Sequence, residues 1–119
     1  MSLIDTAQIN ALTRFLDATA QRQQAITTNI ANIDTPNYHT KDVEFRSLLE
    51  QASSGVMPAS FQPHLREVQG LMERPDGNNV SLEREGLALA DTQLQFQTGV
   101  QLLRSEFKRL QTAIQEGSK

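Results

Sequence analysis

INALTRFLDATAQRQQAITTNIANIDTPNY, residues 9–38, is the stretch from which the architecture unfolds. Ile9, Leu12, Leu16, Thr19, Gln23, Ile26, Ile30 and Ile33 follow one another at alternating spacings of three and four, the rhythm of a heptad seam on a long α-helix. Thr19 and Gln23 are its polar positions. Alongside runs a second stripe, Ala11, Phe15, Ala18, Arg22 and Ala25, so the apolar surface is wider than one partner helix needs. The helix is expected to begin near Asp5 and stop at about Ile33, because Pro36 disfavours the helical conformation of Thr35.

The exit from this helix is dense in amides. Asn29 and Asn32, three residues apart, are placed to hydrogen-bond the freed carbonyls and the loop that follows. Thr35-Pro36 turns the chain away, Asn37 suits a left-handed backbone, and Tyr38 is free to fold back as an amphipathic anchor.

The other end of the chain repeats the first rhythm. Leu89, Gln93, Phe96, Val100, Leu103, Phe107, Leu110 and Ile114 are again three and four apart. Ser81 is the expected N-cap, with Glu83 and Glu85 in the first turn and Lys108 and Arg109 towards the last. Gly86 and Gly99 each weaken this helix by roughly 1 kcal/mol relative to alanine, which points to close packing or a bend near Gly99. All four prolines lie between the helices. There, residues 42 to 51 read as a strand or a short helix, residues 52 to 60 as a linker, and Pro75-Asp76-Gly77 as the tight turn of a β-hairpin with strands around Val68, Leu71 and Val80.

Composition narrows function. The chain has 119 residues, no cysteine, no tryptophan and two histidines, which leaves one domain without thiol, zinc-finger or iron–sulfur chemistry. With 38% hydrophobic and 5% aromatic residues and no disulfide, self-assembly is a natural source of extra burial. A net charge of −3 argues against nucleic acid, and no apolar run approaches a membrane span of about 18 residues. The first residues, MSLIDTAQINALTRFL, lack the basic and continuous apolar regions of a cleavable signal. Charge is uneven along the chain: residues 1–33 are net zero, 34–91 net −5 and 92–119 net +2.

No catalytic constellation emerges. His39, Asp42 and Glu44 lie close in sequence as metal ligands would, but no second cluster completes a coordination shell, and a solvated loop is the expected reading. The pairs Asp42/Glu44 and Glu83/Glu85 read likewise as solvated charges. No enzyme, cofactor or metal is expected. The two seams are either the core of a self-contained helical hairpin or surfaces for partners. Two helices of some thirty residues run ~45 Å each, longer than the middle segment can cover, and this favours partners.

Asn29-Ile-Ala-Asn32-Ile-Asp-Thr35-Pro36-Asn37-Tyr38, following a heptad-like helix, resembles the N-terminal signature of the bacterial flagellar axial proteins, which form rod, hook and hook-associated parts. Arg22-Gln23-Gln24 and the later Asp76-Gly77-Asn78-Asn79-Val80-Ser81-Leu82-Glu83-Arg84-Glu85 resemble more narrowly the proximal-rod members of that family. The resemblance spans nearly the whole chain. It implies that the terminal helices pack as an inner, tube-lining domain and that export runs through the flagellar type III apparatus without signal cleavage. The family commonly has glycine where Asn37 stands, and residues 46 to 75 are short for it.

The expected fold is therefore mainly α: two long terminal helices packed as a coiled-coil-like pair, with a small irregular or β-hairpin middle. Residues 1–35 and 81–119 are expected to form the helical domain and 36–80 the middle extension. The expected role is a structural subunit of the proximal rod in the periplasmic space, transmitting torque and lining the export channel. Its expected partners are its own copies, other rod proteins, the inner-membrane ring with its rod adaptor, and the export apparatus. The assembly motif is Asn29, Ala31, Asn32, Thr35, Pro36 and Tyr38. The assembly seams are Ile9, Leu12, Leu16, Ile26, Ile30 and Ile33 with Phe96, Val100, Leu103, Phe107, Leu110 and Ile114. The rival reading is a soluble helical adaptor or chaperone that clasps one partner helix.

Overall fold

A computed structural model describes residues 3–47, 50 and 63–117. The chain runs α1 (Leu3–Ala31), β1 (Lys41–Val43), β2 (Leu65–Glu67) and α2 (Leu82–Gly117). Asn29 bonds Glu85, Arg22 bonds Asp91, and Phe15 and Leu16 lie over Gly99, so the two helices run antiparallel along a body 70 × 24 × 17 Å in extent.

Their ends follow local chemistry. α1 stops at Ala31, two residues short of expectation, where the chain tightens through bonds from Ile33 N–H to the Ile30 carbonyl and Thr35 N–H to the Asn32 carbonyl. α2 starts at Leu82 as expected, with Ser81 Oγ accepting from Arg84 N–H at 3.3 Å. It continues to Gly117, so Lys108 and Arg109 sit inside the helix and its last turn carries no base. Nothing in the sequence after Gly99 breaks a helix before that point.

The pair meets through small and polar residues. On α2 the buried line is Glu85, Thr92 and Gly99, seven apart. A Cβ at Gly99 would lie 2.7 Å from Leu16 Cδ2 and 3.1 Å from Phe15 Cδ1, so glycine is what lets the helices approach here. The missing side chain at Gly99 makes room for Leu16 and Phe15 of α1, while the large side chains of α2 lie to the flank of its buried line: Phe96, Phe107 and Ile114 are 39%, 54% and 65% exposed. The contact thus runs beside the predicted α2 seam, about 60° round the helix. On α1 the buried strip, Ala18, Thr19, Ala25, Ile26 and Asn29, straddles both predicted stripes and leaves Gln23 exposed.

The middle holds one correction. β1 pairs antiparallel with β2, Lys41 opposite Glu67 and Val43 opposite Leu65, rather than strands pairing across Pro75-Asp76-Gly77. The tight turn itself forms: Arg74 N–H donates to the Asn78 carbonyl and Gly77 N–H to the Arg74 carbonyl, each at 2.8 Å, with Gly77 at φ +84°. No ladder extends from it, because residues 78–80 direct their hydrogen bonds to the end of α1 and the loop after it or to their own turn. Asn79 N–H, for example, donates to the Tyr38 carbonyl at 3.3 Å. Of residues 42 to 51, the first two complete β1 and residues 45–47 are helical; the linker reading for 52 to 60 lies outside the described residues.

Candidate assembly interface

Two segments far apart in sequence close on each other beyond the end of α1. Asn29 is completely buried and uses its whole amide: Nδ2 donates to the Lys41 carbonyl at 2.7 Å and to Glu85 Oε2 at 3.1 Å, while Oδ1 accepts from Lys41 N–H at 3.1 Å and from the Tyr38 hydroxyl at 3.0 Å. Asn78, equally buried, donates from Nδ2 to the carbonyls of Asn32 and Thr35 at 2.9 and 2.8 Å and accepts from Val80 N–H at 2.8 Å. Asn79 Oδ1 accepts from Thr40 N–H at 2.6 Å. Arg74 donates to the Ile33 carbonyl and Asn37 N–H to the Asp76 carbonyl. Backbone groups freed where α1 ends are thereby satisfied by side chains some forty residues on.

Each motif residue now has a place. Asn32 Nδ2 reaches back to the Thr28 carbonyl at 2.8 Å, and its Oδ1 accepts from the Thr35 hydroxyl at 3.0 Å. Asn37 takes φ +63°, the left-handed conformation the turn requires. Ala31 and Pro36 are exposed. His39 lies against Glu67 and Glu73, at 3.4 and 3.2 Å, while Asp42 meets Arg22 and Arg84, and Glu44 meets Arg66.

Charge ties this clamp to both helices. Asp42 of β1 receives Arg22 of α1 at 3.3 Å and Arg84 of α2 at 3.6 Å; Arg84 also holds the fully buried Glu85 carboxylate at 2.8 Å. Arg22 stacks over Phe45, 5.8 Å from the ring centre, and Phe45 meets Phe15 edge-on at 5.4 Å. Burial, and then the Glu85 carboxylate, raise the Tyr38 phenol above its usual value, keeping it a neutral donor to Asn29.

Most residues of the predicted seams lie across the helix contact from the strands, but Ile26, expected in the α1 seam, is buried in the subunit's own interior. On α1, Arg22 and Asn29 face β1, whereas Leu12, Leu16, Gln23 and Ile30 lie about a third of a turn further round. On α2, Arg84 and Asp91 are on the β1 side, Glu85, Thr92 and Gly99 meet α1, and Leu89, Phe96, Val100 and Phe107 lie beyond. These seam residues therefore share the side away from the strands. Leu12, Leu16, Ile30, Val100, Leu103 and Leu110 are half-buried there, and Phe96, Phe107 and Ile114 are exposed.

Comparison with known proteins takes in the first segment by a family model and most of the chain by relatives. A family model described as "Flagella basal body rod protein" matches residues 7–39, which take in most of α1 and the first half of the clamp. The Flagellar basal body rod protein FlgB of Salmonella typhimurium is 31% identical, over 93% of this chain and 98% of that one. The chain belongs to the FlgB family. FlgB of Bacillus subtilis is 34% identical over 81% of this chain and 84% of its own, and that of Yersinia enterocolitica 32% identical over 86% and 89%.

Sequence reasoning found the axial-protein motif of Asn29 to Tyr38 and the more FlgB-like stretch of Asp76 to Glu85, but missed that Thr40, Arg74, Asn78, Asn79 and Glu85 form one unit with the first. The available signal was a second cluster of amides, Asn78-Asn79, directly after a tight turn and directly before an N-cap. A helix end rich in orphan carbonyls needs such a cluster.

Proposed function

We propose that this chain is a structural subunit of the flagellar basal body rod, at its proximal end in the periplasmic space. The observation that supports this most is the extent of the likeness to FlgB, 93% of this chain and 98% of the Salmonella protein, which includes both halves of the clamp. The clamp sets the angle between the helices. The helices present an apolar side that a lone chain leaves exposed, as a subunit built for packing does.

In this reading residues 1–35 and 81–119 form the inner helical domain and 36–80 a small extension. The clamp residues Asn29, Ala31, Asn32, Thr35, Pro36 and Tyr38 fix the subunit's shape, and the two seams carry its contacts. Its partners are its own copies, other rod proteins, the inner-membrane ring with its rod adaptor, and the export apparatus that delivers it. Packed helices transmit torque and enclose the export channel. The chain has no catalytic role here. Electron microscopy of basal bodies from cells lacking the gene tests the assignment: rods are expected to be absent and to return with the gene on a plasmid, and intact rods in the deletion strain would refute it.

A further inference from the structure

The small sheet has one closed edge and one open edge. On the outer side of β1 the N–H and C=O of Lys41 are taken by the Asn29 side chain, and Val43 N–H donates to Asp42 Oδ1 at 2.7 Å. On β2 the His64 carbonyl accepts from Glu44 N–H at 3.1 Å and Val68 N–H donates to the Thr40 carbonyl at 2.9 Å. By the alternation of an antiparallel ladder Arg66 also bonds towards β1, and the backbone groups of Leu65 and Glu67 point outward. Nothing among the described residues takes them up, and Leu65, Arg66 and Glu67 are all exposed. A two-stranded ribbon with such an edge invites a third strand.

A place for its side chains exists. Leu65 lies opposite Val43 and on the same face of the sheet, the face turned to α1. A cleft of about 420 Å³ opens beside it, walled by Tyr38 and Lys41 and by Gln24, Ala25 and Thr28 of α1. Leu65 lines this cleft and is still 58% exposed.

We propose that the outer edge of β2 binds an extended segment of another protein, which adds antiparallel as a third strand and reads basic, acidic, apolar from its N-terminal end. Leu65 and Glu67 exchange paired backbone hydrogen bonds with the residues opposite them, which gives affinity without regard to sequence. Selection comes from the side chains. The residue opposite Leu65 shares its face, and an apolar side chain there enters the cleft. Glu67 calls for a base opposite it and Arg66, on the other face, for an acid; their side chains are 55% and 66% exposed and open to both. A second copy of β2 makes a poor third strand, since pairing centred on it sets Arg66 against Arg66. The inference goes beyond the rod-subunit reading and does not depend on it.

The probe is a capped peptide with Lys-Glu-Val between threonine flanks, and its control carries Glu-Lys-Val in the same flanks. Titrated into the full-length protein and followed by amide NMR, the first is expected to bind at least about five-fold tighter than the second. At saturation it is expected to slow hydrogen exchange of the Leu65 and Glu67 amides at least about ten-fold. Glu67→Pro removes an outward N–H and no bond to β1, and is expected to abolish binding. R66E/E67R, with both changes at exposed positions, is expected to reverse the preference between the peptides while far-UV circular dichroism stays unchanged. Equal binding of the two peptides, binding of neither, binding retained in Glu67→Pro, or an unchanged preference in R66E/E67R overturns the proposal. Protection of both amides before any peptide is added overturns it as well. Protection that fades on dilution assigns the edge to a second copy, and protection that persists assigns it to another part of this chain.

Discussion

Asn29 shows how much one side chain can hold. It joins α1, the strand at Lys41, Tyr38 and the buried Glu85 by four hydrogen bonds, so alanine there leaves several buried groups unpaired. Asn29→Ala is expected to cost about 3–5 kcal/mol in urea unfolding, far more than a surface amide. Asn37, at φ +63°, gives a contrasting series. Asn37→Gly is expected to stay within about 1 kcal/mol of the natural chain and Asn37→Val to fall about 2 kcal/mol below it, because a β-branched residue resists that conformation. Tyr38 adds a pH signature. Its raised value means that the folded state holds the phenolic proton longer than the unfolded chain does. That contribution to stability is complete below the unfolded value of about 10 and is lost as pH climbs past it. Tyr38 is the only tyrosine, so Tyr38→Phe is expected to flatten the alkaline fall in unfolding free energy measured against the natural chain.

The elements were legible to different degrees, for physical reasons. α1 and α2 are long and strongly periodic, and their caps and stops are local, so Ser81 and Pro36 placed their ends closely. That the two helices pack as a pair was legible as well. The face each helix buries did not, because periodicity marks apolar residues and the contact selected small ones at Gly99 and Thr92. The Pro75-Asp76-Gly77 turn was readable, whereas the destination of the hydrogen bonds after it was not: Asn78 and Asn79 are satisfied by the Asn32-to-Thr40 segment, which no local pattern announces. The two helical glycines test the packing half of this account. Gly86 has open space around its missing Cβ, and Gly86→Ala is expected to stabilise by about 0.5–1 kcal/mol. Gly99→Ala gains the same propensity but drives a methyl into Leu16 and Phe15, and is expected to end at least about 1 kcal/mol below it by thermal unfolding.

At the scale of the whole molecule, burial is concentrated at one end. Among the described residues the buried hydrophobics are Ala18, Ala25, Ile26, Val43 and Val80, most of them beside the clamp. The long apolar side beyond is left half-open, and fold and assembly become separable. Ile26, 2% exposed, belongs to the subunit's own interior, so Ile26→Asp is expected to unfold the purified chain. Phe107, 54% exposed, belongs to the proposed contact surface. Phe107→Asp is expected to leave monomer stability within about 0.5 kcal/mol and still abolish rods in isolated basal bodies. Loss of both properties, or of neither, in Phe107→Asp would dissolve the distinction.

The clamp sits where two long arms meet, and this gives it the mechanics of a pair of tweezers. From Asn29 the arms extend about 40 Å to the free ends of the helices. A rotation of about 5° at the vertex therefore sweeps a tip through about 3–4 Å, the full depth of a van der Waals contact. Apolar packing tolerates small rotations because it is non-directional; hydrogen bonds to fixed carbonyls do not. Amides at the vertex, in place of leucines, hold the direction of the tips more tightly than aliphatic packing there would.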